Sequence, residues 1–213
     1  HAEEGLPFFN PNRTYQISSH IWQDIGLGFV NPFTIPRITL YAFSAGLSVL
    51  KIPVTTIQQL VFILLILVPL VCIPLLTKLI LPESSNSTGT YAALFYVFNL
   101  FFLSQVLQRF ILELFFLWSY LPLFIFLWIR WLKSTKVKHL ALLTFSSIVY
   151  SYTFTIIASI FALWISVGII WWKYKKVIPA VIAITVWLLA AIWWWYPLFS
   201  MTENPFTGYL KSS

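Results

Sequence analysis

The sequence predicts an all-α integral membrane protein, with about six transmembrane helices and an extracytoplasmic loop of short surface helices ahead of them. Three observations predict it. The 213 residues are 60% hydrophobic and only 9% charged, whereas a soluble domain carries about 25% charged residues. Several apolar runs exceed the roughly 18 residues beyond which lipid is the natural solvent. The cations behind the net charge of +7 sit at the ends of these runs, not in one stripe. That pattern flanks membrane spans and excludes a nucleic-acid footprint.

Residues 1–56 read as the extracytoplasmic loop. Pro7, Pro11, Pro32, Pro36 and Pro53 punctuate it, and Asn10, Asn12, Gly26, Gly28 and Asn31 supply turn chemistry. Thr14–Asp24 is expected as a short helix capped by Thr14. Leu40–Leu50 is apolar but too short to span, as in a helix lying on a membrane surface.

Residues 57–195 read as the helix bundle. The first span, about Thr56–Leu81, contains Pro69 and Pro74, which bend it. A polar loop, Pro82–Thr90, leads to a second span at about Tyr91–Val106. Gln105, Gln108 and Arg109 interrupt the hydrophobicity before a third span at about Ile111–Trp131. Arg130, Lys133, Lys136 and Lys138 form a basic cluster. The apolar run His139–Trp172 follows. As one helix it would be about 50 Å long against a core of about 30 Å. Two tilted helices turning near Ser151–Thr155 are therefore expected, closed by Lys173, Lys175 and Lys176. The last span, about Val177–Trp195, ends in an interfacial Trp193–Trp194–Trp195–Tyr196 belt and Pro197.

Residues 196–213 read as the start of the next extracytoplasmic loop. The ends suggest a piece of a longer protein, with at least one helix before His1. Placing the lysine clusters in the cytoplasm puts residues 1–56, the turn near 151–155 and the C-terminal segment together on the outer face. The expected location is the plasma membrane of a prokaryote, with the active face extracytoplasmic.

The single cysteine, Cys72, lies in an apolar run, so neither a disulfide framework nor a Cys-based metal site is expected. Of the six acidic residues, Glu3, Glu4 and Asp24 precede the first span. Beside Arg13, His20 and Trp22 they would form a polar pocket above the bilayer, or simply a solvated loop. In a pocket, a carboxylate can deprotonate a sugar hydroxyl while a cation holds a phosphate leaving group. Arg109 and Glu113 stand four positions apart. Either Arg109 reaches an anionic headgroup or lipid-linked phosphate, or the two charges neutralise each other. No His/Asp/Glu cluster has metal-ligand spacing. A divalent cation held jointly by Glu3, Glu4 and Asp24 is the one cofactor left open. The GxxxxGK[ST] phosphate loop, the GxSxG nucleophile elbow and any Gly-rich nucleotide loop are absent from the sequence. Trp22 offers a platform for a sugar ring, whereas Trp171, Trp172 and Trp193–Trp195 read as interfacial anchors.

The outer segment runs Glu3-Glu4-Gly5-Leu6-Pro7-Phe8, then Ser19-His20-Ile21-Trp22-Gln23-Asp24 and Gly26-Leu27-Gly28, and the last span ends Trp193-Trp194-Trp195-Tyr196-Pro197-Leu198. In this layout the chain resembles the N-terminal part of multispan GT-C type glycosyltransferases, particularly the arabinofuranosyltransferase-like and YfhO-like membrane proteins. The resemblance implies a catalytic carboxylate in the outer loop, best matched by Glu3 or Glu4 and next by Asp24. It also implies a polyprenyl-phosphate-linked sugar as donor and an extracytoplasmic glycan or protein as acceptor. The competing readings are a multispan transporter or lipid flippase, and a non-catalytic membrane subunit.

Overall fold

The computed structural model describes residues 8–20, 22–23, 29–30, 32–100, 102, 104, 111–155 and 157–196. The described chain is helical apart from one two-residue strand pair. A head segment, residues 8–52, precedes the longer helices.

Helix α1 spans Pro11–Ser18. It starts three residues before the expected Thr14 cap, because Asn10 does the capping: its side chain accepts a hydrogen bond from the Arg13 backbone N–H at 3.1 Å. Pro11 occupies the first helical position, where its missing N–H costs nothing. The helix also stops well short of Asp24. Trp22–Gln23 form strand β1, paired antiparallel with β2 (Phe29–Val30). A 3₁₀ turn at Pro32–Arg37 leads into α2, Ile38–Val49, beyond which Lys51 adopts the left-handed region.

Among the described residues, two helices are long and apolar enough to cross a membrane: α3 (Val54–Ile80, 27 residues) and α5 (Leu112–Ser134, 23 residues). Their roles differ. Only 28% of the most apolar window of α3 is buried, against 67% for α5, which packs on α3, α6, α7 and α8. Between them lies α4, Asn86–Val97. The residues expected as a polar loop thus belong partly to a helix. Ser85 caps it, its hydroxyl accepting from the Thr88 N–H at 3.3 Å, and its first turn is polar because it is exposed. Helix α4 ends at Val97, where the Asn99 side chain bonds the Tyr96 carbonyl and the Phe102 N–H and so competes with the helical ladder.

Helices α6 (Val137–Val149), α7 (Ile157–Tyr174) and α8 (Val177–Ala190) complete the described bundle. The apolar run at 139–172 is interrupted by a buried 3₁₀ turn, Ser151–Thr155. At about 1.5 Å per residue, α6 and α8 reach only about 20 Å, short of a hydrocarbon core of about 30 Å. Among the described residues, six α-helices lie in the region expected to hold six spans, and two of them have spanning length.

The core is aromatic. Tyr96 and Phe102 stack on Trp118 at centroid distances of 5.3 and 4.3 Å, Phe116 on Tyr152 at 4.9 Å, and Phe154 on Trp194 at 5.0 Å. Hydroxyls stitch α5 to α6: Tyr120 meets Ser147 at 2.6 Å, and Ser119 meets Tyr150 at 3.3 Å. Bonds of this kind between helices typically contribute about 0.6 kcal/mol each in lipid. The outside is apolar as well. Ile63, Leu67 and Val71 on α3, Phe161 and Ile165 on α7, and Ile178 and Leu189 on the last helix are all exposed.

Candidate functional site

The head segment is seated on one end of the bundle, and a part-buried ion pair marks the seat. Arg37, which closes the first 3₁₀ turn, places Nη2 at 3.0 Å from Oε1 of Glu113 in the first turn of α5. The two side chains are only 19% and 7% exposed. Glu113 sits where the partial positive charge of a helix N-terminus favours a carboxylate. The Arg37 guanidinium also lies over the Tyr152 ring, 5.4 Å from its centroid.

Around this pair the second 3₁₀ turn receives the head. Ser151 donates its hydroxyl to the Pro36 carbonyl and lies 2.9 Å from the Thr39 hydroxyl. Tyr41 of α2 meets Tyr152 edge to face at 6.3 Å. Phe8, nearly fully buried, packs edge-on against Phe62 of α3. The short hydroxyl residues at 151–155 thus make a polar socket at the end of two apolar helices.

Glu113 pairs with Arg37, a residue 76 positions away. It lies in the first turn of α5, which begins at Leu112 after the extended Ile111. Arg109 itself lies outside the described residues, as do Glu3, Glu4 and Asp24.

Two expected site residues are described with their side chains. Arg13 is exposed on α1. His20 is exposed too, its Nδ1 at 2.9 Å from the Gln16 carbonyl and 3.2 Å from the Ser19 hydroxyl. These contacts finish the end of α1 and do not bring the two residues into one pocket. Trp22 is described only as a member of β1. Among the described residues no group of three or more His, Cys, Asp or Glu is placed to hold a metal ion.

The opposite end is basic. Lys133 donates to the Leu79 carbonyl at 2.8 Å and lies over the Tyr174 ring at 5.9 Å. Lys176 donates to the Leu132 carbonyl at 2.8 Å, and the Trp131 indole N–H donates to the Pro179 carbonyl at 2.8 Å. These bonds tie the three turns after α3, α5 and α7 into one face. A cavity of about 250 Å³ opens there, lined by Lys78, Ser85, Asn86 and Thr90. A smaller apolar cleft of about 20 Å³ lies among Trp128, Phe154, Trp164 and Trp187.

Sequence reasoning missed Arg37. Its one signal was a solitary cation between Pro36 and an apolar helix, matched by Glu113 as a solitary carboxylate within the apolar runs. No protein family, curated protein or solved structure matches the chain.

Proposed function

We propose that the chain is an integral membrane protein whose head end transfers a sugar from a polyprenyl-phosphate carrier to an extracytoplasmic glycan or protein. The carrying observation is the part-buried Arg37–Glu113 pair between the head and the bundle. Ionised groups next to apolar helices are costly, so retaining one at this junction favours a working site over packing alone. Lipid as solvent is supported by α3, which leaves most of its apolar surface uncovered.

In the proposed reaction Glu4 or Glu3, with Asp24 as the alternative, takes the proton of the acceptor hydroxyl. The acceptor oxygen bonds to the anomeric carbon with inversion. The bond from that carbon to the phosphate oxygen breaks, and its electron pair leaves on the polyprenyl phosphate. Arg13 or Arg109 steadies the leaving charge, Trp22 and His20 contact the sugar, and Arg37 acts as a positioning residue. A prokaryotic plasma membrane, with the head end outside, is the compartment this reading assigns.

The test is transfer of labelled sugar from a panel of polyprenyl-phosphate carriers by the protein in vesicles. A Glu3→Gln/Glu4→Gln double variant is expected to abolish transfer. Full activity in that variant, with folding intact, removes both glutamates from the mechanism. Absence of transfer from every carrier by the folded wild type refutes the enzyme reading.

The hydroxyl pairs buried between α5 and α6 favour a second reading, passage of a polar headgroup through the bundle. Carrier translocation without transfer, measured in the same vesicles, would support it.

A further inference from the structure

We infer that the lysine end of the bundle is a docking surface for the anionic headgroups of a phospholipid leaflet. The inference rests on the membrane reading above, but not on glycosyl transfer.

The three turns of this end carry eight cations and one carboxylate, Glu83, and all nine side chains belong to exposed residues. The bonds from Lys133 to Leu79 and from Lys176 to Leu132 hold the turns side by side, so the charges form one field instead of three separate patches. Those two lysines are committed to helix carbonyls. Lys136, Lys138, Lys173 and Lys175 are exposed beside them. Like charges at this density repel one another, and a dense layer of counter-charge relieves the repulsion.

The neighbours of the cations select lipid as the source of that counter-charge. Val137, Trp172 and Ile178, each 74–77% exposed, alternate with the lysines. An acidic soluble partner or a nucleic acid would leave these apolar groups facing water. At a bilayer surface, by contrast, the apolar and indole groups enter the interface while the ammonium groups meet phosphate. The cavity of about 250 Å³ beside Lys78 gives the same face a recess with hydroxyls from Ser85 and Thr90.

The test compares spin-labelled phosphatidylglycerol with spin-labelled phosphatidylcholine around the full chain in mixed vesicles. The expected preference for phosphatidylglycerol is roughly fivefold, the factor that about one lysine near a charged bilayer surface supplies. It should collapse in 1 M salt, where the screening length is about 3 Å. The variant Lys136→Gln/Lys138→Gln/Lys173→Gln/Lys175→Gln should lose it while keeping the lysines that cap helices. Equal retention of the two lipids by the wild type overturns the inference and leaves an acidic protein as the occupant. A preference that survives both high salt and the quadruple variant also overturns it. Failure to enter vesicles of either lipid would instead refute the membrane reading itself.

Discussion

Replacing Glu113 by Ala should destabilise the protein by about 3 kcal/mol, a magnitude that follows from the burial of the pair it forms with Arg37. Exposed ion pairs contribute about 0–1 kcal/mol. Removing one member of a fully buried pair costs about 3–5 kcal/mol, because the surviving charge keeps its desolvation penalty. With side chains 19% and 7% exposed, the Arg37–Glu113 pair lies near the buried limit. The Coulomb attraction, about 4 kcal/mol at 4 Å and an effective dielectric of 20, has the right size to account for it. Arg37→Met should cost a similar amount, since it strands the carboxylate. The double variant Arg37→Met/Glu113→Leu should recover to within about 1 kcal/mol of wild type, as apolar replacements of buried pairs commonly do. The assay is unfolding in mixed micelles by increasing denaturing detergent, read out as a double-mutant cycle. Limited proteolysis of residues 8–52 would report whether the head has lifted from the bundle. Single variants that each cost less than about 1 kcal/mol, or a double variant as unstable as the sum of the singles, would refute the argument.

Gly89→Ala puts a Cβ 2.9 Å from the Pro74 Cα, a backbone atom that cannot swing aside. Thermal unfolding should show a loss of about 1–3 kcal/mol as α3 and α4 are pushed apart. Gly168→Ala in α7 meets nothing within 4 Å, so by the same measurement it should gain up to about 1 kcal/mol of helix propensity. Tyr120→Phe removes the hydroxyl that meets Ser147 and should cost about 0.6–1.7 kcal/mol in the detergent titration.

Long, strongly apolar segments were legible because a single property, length against bilayer thickness, decides them. Val54–Ile80 and Leu112–Ser134 fall within a few residues of the expected spans. The break at Ser151–Thr155 was legible for the same reason, since one helix across 139–172 would overshoot the hydrocarbon core. Boundaries set by a single side chain were harder. Asn10 outcompetes Thr14 as the cap of α1 because Pro11 follows it. The polar run before Tyr91 reads as a loop by composition, yet Ser85 turns it into the first turn of α4. Strands β1 and β2 have two residues each, too few to show any alternation.

The ion pair was hidden by the reach of the rules that find such pairs. Spacing rules on a helix are local, and they offered Glu113 only Arg109 as a partner. They reach no residue 76 positions away, where Arg37 stands. Glu113 then points its charge toward whatever cation the fold delivers to the head end of α5. Pro36 and the 3₁₀ turn set Arg37 at the start of α2, and Ser151 fixes that turn: its hydroxyl donates to the Pro36 carbonyl and lies 2.9 Å from the Thr39 hydroxyl. The same Ser-Thr-rich stretch that ends the α6 helix therefore also positions the cation. One break in an apolar run performs two tasks, reversing the chain and building the polar seat. That coupling predicts that Ser151→Ala weakens the head's attachment as well as the turn, seen as faster proteolysis of residues 8–52 with the bundle intact.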